Sequence, residues 1–113
     1  MALQKEIELD NGITLNYHRI TSLNKLTNIS NNIEVNSYIS EEQREKEKAY
    51  QEVQMKSSND EELTEEEKQL LENGINVLVV ADYISIPYDE KMTIESAYEY
   101  LKTTEKYREA EDI

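Results

Sequence analysis

Two alternating runs meet at Asp10-Asn11-Gly12, and they constrain the fold more than any other part of the chain. Leu3, Lys5, Ile7 and Leu9 alternate with Gln4, Glu6 and Glu8, and Ile13, Leu15 and Tyr17 alternate again after the turn. A period of two is the signature of a half-buried strand. Residues directly opposite each other in a hairpin share a sheet face, so the apolar pattern selects the loop. A two-residue Asn-Gly loop sets Glu8 opposite Leu15. A three-residue loop, residues 10 to 12, sets Leu9 opposite Ile13 and Ile7 opposite Leu15. The longer loop is therefore expected, with Gly12 in the left-handed conformation.

The remainder of the chain supports an α+β fold, a small and mostly antiparallel sheet with helices added. Residues 21–32, TSLNKLTNISNN, read as a loop or irregular edge anchored by Leu23, Leu26 and Ile29. Alternation resumes at Ile33, Val35, Ser37 and Ile39 and predicts a strand over 33–40, the candidate free edge. Ile75–Ile86 is the most apolar stretch and is β-branched on both faces, which predicts a central strand. Pro87 ends it, because proline has no ladder N–H to give.

Helix starts are marked by side chains that cap the first turn. Ser40 with Gln43 and Thr64 with Glu67 fit the capping box, and Thr93 precedes a first turn holding Glu95. The first helix is expected to run to about residue 55, and the second to Asn73-Gly74, a left-handed stop signal. Ile94, Ala97, Tyr98 and Leu101 have amphipathic spacing, predicting a C-terminal helix over 94–103 that covers the sheet. Residues 41–72 hold 12 acids and 5 bases, a net charge of −7. The segment 41–74 therefore reads as a charged helical excursion from one domain spanning 1–113, with an acidic tail at 105–113.

Composition narrows the function. The net charge is −13, from 12 Lys+Arg and 25 Asp+Glu. Phosphate backbones and anionic membranes call for basic partners, so neither direct nucleic-acid binding nor a membrane role is expected. The opening residues have no long apolar run, so no signal peptide is expected, and no stretch reaches spanning length. With no Cys and one His, His18, a zinc set cannot be assembled. His18 lies opposite the parity of Leu15 and Tyr17 and reads as an exposed strand histidine without an oriented partner for acid–base work. Two glycines are too few for a phosphate-cradling loop, and Asp60-Glu61-Glu62 lacks the calcium-loop pattern. No catalytic, cofactor-binding or metal residue is expected, and the chain does not read as an enzyme.

The eight tyrosines replace absent Phe and Trp. Tyrosine suits sites that are apolar on one side and wet on the other, and it is enriched in interfaces. Tyr83, Tyr88, Tyr98 and Tyr100 form a candidate protein interface near the Pro87 turn and the last helix; core filling is the competing role.

Three blocks, LNYHRITSLNKLTN at 15–28, IEVNSYISEEQREKEK at 33–48 and DYISIPYDEKMTIESAYEYLKTTEKYREAEDI at 82–113, together resemble small proteins from the tail and baseplate regions of phages and prophages of Gram-positive bacteria. The residues that carry the likeness are structural, and the resemblance brings no site residues. It implies a virion structural or assembly role, tail or baseplate proteins as partners, and a homo-oligomer or larger ring. The competing expectation, from charge alone, is an acidic inhibitor or DNA mimic that occupies a basic host protein.

Overall fold

A computed structural model describes the whole chain, residues 1–113. Its elements are β1 (Leu3–Glu8), β2 (Thr14–Leu26), β3 (Ser30–Tyr38), α1 (Glu41–Ser58), α2 (Glu65–Asn73), β4 (Val80–Pro87), α3 (Ile94–Leu101) and β5 (Glu111–Asp112). The strands make one sheet in the order β4-β3-β2-β1-β5, antiparallel throughout. The α+β class is that expected from the sequence.

The first hairpin closes through the three-residue loop. Ile7 pairs with Leu15 and Glu8 with Thr14. The Leu9 amide donates to the Ile13 carbonyl at 2.7 Å, and the Gly12 amide donates to Leu9 at 2.9 Å. Gly12 sits at φ +86°. Two irregularities then reset the alternation. Between Gln4 and Ile7 the ladder carries one extra residue on β1, and Thr21 is an extra residue on β2 between Ile20 and Ser22. Such bulges re-aim the side chains that follow them.

The second of these explains the first correction. Residues 21–32 are not a loop: β2 continues to Leu26 and returns as β3 from Ser30. The bulge at Thr21 brings Leu23 opposite Ile33, so the apolar parity that looked broken is restored. Thr27-Asn28-Ile29 forms the turn, with Ile29 N–H donating to Leu26 at 2.9 Å and Asn28 at φ +62°. Asparagine tolerates this region better than other non-glycine residues.

Both faces of the sheet are covered in part. On one face α3 packs over a cluster that includes Leu3, Ile20, Ile33, Val35, Ala97 and Leu101. On the other, α1 docks where Tyr38 donates to Glu47 at 2.6 Å and stacks edge-on against Tyr17. A sheet with one core face would leave His18 to solvent, but this sheet is covered on both faces. His18 is instead 1% exposed. Its Nε2 bonds the Lys5 carbonyl at 2.8 Å and its Nδ1 lies 2.7 Å from Ser37 Oγ. The carbonyl fixes Nε2 as the donor, so Ser37 donates to Nδ1.

Strand placement brings three further corrections. The strand at 33–40 is β3, which lies inside the sheet between β2 and β4 and is no edge. The stretch 75–86 is not a central strand: pairing begins only at Val80, opposite Ser37, and β4 is the outer strand. β3 ends at Tyr38 and the chain turns at Ser40 into α1, so residues 75–79 find no ladder. The acidic tail at 105–113 is folded. Tyr107 is fully buried, Glu111 and Asp112 pair with Gln4 and Leu3, and Ala2 and Ile113 exchange backbone bonds at 3.2 and 3.0 Å. Its two apolar anchors, Tyr107 and Ala110, outweigh its charge.

Helix signals fare well. Ser40 accepts from Gln43 N–H, and Thr64/Glu67 form the full capping box. Thr93 forms a second one with Ser96. The first helix reaches Ser58, three residues beyond expectation, and α3 stops at Leu101 rather than 103. Val53 is the only buried residue of α1, and α2 has none. The Cα radius of gyration is 16.5 Å, against about 13 Å for a compact chain of this length. The α1–α2 pair is tied by Lys56–Glu67 at 3.0 Å.

Candidate docking surfaces

The four tyrosines singled out above do not form one patch. Tyr98 is buried in the α3 cluster, and its hydroxyl has a structural task. It accepts from Ile20 N–H at 2.8 Å and donates to the Met1 carbonyl at 2.9 Å. The pairing of Leu3 with His18, extended by two residues, sets Met1 opposite Ile20. The hydroxyl thus bridges the ladder where the two strands separate. Tyr100 is half-buried against the same cluster, and Tyr88 is half-buried beyond β4. Tyr83 alone is open, at 73% exposed. It projects from β4 on the face opposite Asp82, Ile84 and Ile86. Glu34 is its cross-strand partner. Hydrogen bonds from Thr21, Tyr83 and Ser22 hold that carboxyl below the usual range, and the same contact raises the Tyr83 phenol.

Tyr83 lies on an outer strand of the sheet. β4 has a neighbour on one side only. The preceding residues 75–79 make no backbone–backbone hydrogen bond. Ile75, Val77 and Val79 are half-buried, and Leu78 is 39% exposed. Among residues 75–88 only Asp82 carries charge, and it is held by Lys106 at 3.1 Å and Tyr107 at 3.3 Å. The ladder between β3 and β4 has no register shift. Unpaired N–H and C=O groups along such an edge form a template for another strand. The scarcity of charge over 75–88 is visible in the sequence; the absence of a ladder for 75–79 is not.

His18 has little of what proton transfer at a surface needs. Burial pushes its pKa below 6.5, with the charges of Lys106 and Lys5 adding to that and the bond to the Lys5 carbonyl opposing it. Tyr107 closes over it edge-on, ring centroids 5.4 Å apart. Burial, then the Asp82 carboxylate, push the Tyr107 phenol well above its ordinary value. The His18–Ser37 and Tyr107–Asp82 pairs are thus neutral-core and surface-anchor contacts that hold the C-terminal segment on the sheet.

No helix is long and apolar enough to cross a membrane. Neither a protein-family model, nor a curated protein, nor a solved structure matches the chain.

Proposed function

We propose that this chain is a non-enzymatic assembly protein of a phage tail or baseplate, and that it acts through protein–protein contact at the free edge of β4. The single observation that carries the contact is the edge from Ile75 to Pro87, which holds one charge, Asp82. Sheet edges are ordinarily blunted by lysines, inward charges or bulges. Here a third of the chain is charged, yet the one charge on this edge is neutralised by Lys106. The tail or baseplate setting draws its support from the sequence resemblance, which spans the β2–β3 hairpin, the start of α1 and the C-terminal region.

The partner is a second copy. A basic partner would find nothing to match on a neutral edge, whereas two such edges suit each other. Antiparallel pairing of β4 with β4 about a twofold axis is an isologous contact. It satisfies the outward backbone groups and covers Leu78 and Tyr83 by strand addition. The acidic-inhibitor reading has less support. Arg44, Lys46, Lys48 and Lys56 interrupt the acids of α1, and Glu47 and Glu67 are committed to ion pairs.

Sedimentation velocity from micromolar to submillimolar protein tests the contact. The native chain is expected to associate with concentration. The double variant Leu78→Lys/Tyr83→Lys, altered only at exposed side chains, is expected to stay monomeric with an unchanged circular dichroism spectrum. A native chain that remains monomeric throughout contradicts self-pairing. Mass spectrometry of purified tail particles checks the setting.

A further inference from the structure

A cavity of about 320 Å³ opens where β1 stops and β2 continues. It lies between α1 and the start of α3. Tyr17, Arg19, Arg44 and Lys48 line its polar side, and Ile20, Ile94 and the Tyr98 ring its apolar side. The chain has three arginines, Arg19, Arg44 and Arg108, in a molecule of net charge −13. Two of them meet here.

Their charges are not balanced. Glu47 Oε1 accepts from Arg44 at 2.7 Å and from the Tyr38 hydroxyl at 2.6 Å, and lies 3.7 Å from Arg19. One carboxylate oxygen therefore serves both guanidiniums. Glu45 is the one acid in the cavity lining, Glu47 being held on Arg44 and Tyr38, and Lys48 is in no ion pair. The cationic side chains Arg19, Arg44 and Lys48 outnumber these two carboxylates by one, and Met1 completes the lining. The Arg44 and Arg19 side chains are only 13% and 26% exposed, so water compensates them poorly. Each guanidinium has five donors. Arg44 uses bonds to Glu47 and Gln51, and Arg19 one to Tyr38 at 3.4 Å. Donors remain on both, in the planar fork that suits carboxylate and phosphate oxygens.

We propose that this cavity binds a small organic oxyanion. Its carboxylate or phosphate sits among Arg19, Arg44 and Lys48, and its apolar part lies against Ile20, Ile94 and Tyr98. The site is independent of the β4 edge, which lies at the other side of the sheet beyond β3. The local excess of positive charge selects an anion against the field of the whole molecule, so binding weakens as salt rises.

Titration of the full chain with inorganic phosphate and, separately, with benzoate, each at constant ionic strength, tests the site by two-dimensional amide and arginine side-chain NMR. Saturable shifts confined to Tyr17, Ile20, Arg19, Arg44 and Lys48 support it with either probe, and the tighter probe identifies the phosphate or carboxylate source. Lys48→Gln, which breaks no ion pair, is expected to weaken binding about five- to tenfold with the spectrum otherwise unchanged. Shifts that fail to saturate, that spread equally to Lys25, Lys46 and Lys91, or that are unaffected by Lys48→Gln overturn the proposal.

Discussion

Buried polar side chains are the means by which a chain without Phe or Trp closes its core. His18, Ser37, Asn31, Tyr98 and Tyr107 all sit inside and all find partners; no buried side-chain polar atom is left unpaired. Asn31, for example, gives its amide to the Asp89 carbonyl at 2.8 Å and accepts from the Asp89 N–H at 3.3 Å. It thereby pins the turn after β4 to the start of β3. His18 carries a pH consequence. Its folded pKa lies below the unfolded value of 6.5, so the unfolded chain takes the proton first. Stability is full above 6.5 and falls as the pH drops below it, toward the folded pKa. Glu34 and Glu67, held below 4.5, contribute only in a more acidic window. Thermal melts of the native chain are expected to lose midpoint between about pH 6.5 and 5. His18→Gln, which cannot gain the proton, is expected to be flat there. Equal slopes for the two proteins would assign the loss elsewhere. Residue roles of this kind were only half legible. The caps Ser40, Thr64 and Thr93 act on neighbours three residues away, so local sequence reveals them. His18, Tyr98 and Tyr107 act on partners set by bulges and by long-range pairing, and nothing near them in sequence announces it.

Elements were legible where one turn decided them. The first hairpin follows from matching Ile7 with Leu15, and the glycine at its end is required for its backbone rather than for space. A Cβ at Gly12 would meet nothing within 4 Å, yet φ is +86°. Gly12→Ala is therefore expected to cost about 1–2 kcal/mol, the penalty of a left-handed alanine. It should shift the urea midpoint without changing the slope of the transition. No change in midpoint would mean that the loop adopts another form. The second hairpin was not legible. Its turn is Thr27-Asn28-Ile29, which has no glycine and ends on an apolar residue, and the bulge at Thr21 breaks the alternation before it. The strongest strand signal misled for a different reason. Ile75–Ile86 has the composition of a central strand, but its first five residues have no neighbour. Apolar composition on both faces secures neither burial on both faces nor pairing on both edges: Ala81, Tyr83 and Ser85 are exposed, and β4 has one neighbour. If the missing neighbour is another copy, the composition is that of a strand that becomes central on assembly.

For the molecule as a whole, pairing of β5 with β1 and docking of Tyr107 on the sheet bring the two ends of the chain together. Ala2 and Ile113 are hydrogen-bonded to each other. One side of the sheet is thus closed by a two-residue strand, while the other presents an eight-residue strand whose only blunting residues are Asp82 and Pro87. The arm α1–α2 gathers much of the acid and ends at Asn73, the residue before Gly74 and the start of the 75–87 segment, and the longest dimension of the molecule is 47 Å. The division is consistent: a charged arm for solubility, a neutral edge for contact. Hydrogen–deuterium exchange at rising protein concentration tests the contact most directly. The amides of residues 75–86 are expected to gain protection as the chain associates, while those of α2 stay unchanged. Amides at 75–79 that exchange as freely in the associated chain as in the dilute one would contradict pairing at this edge.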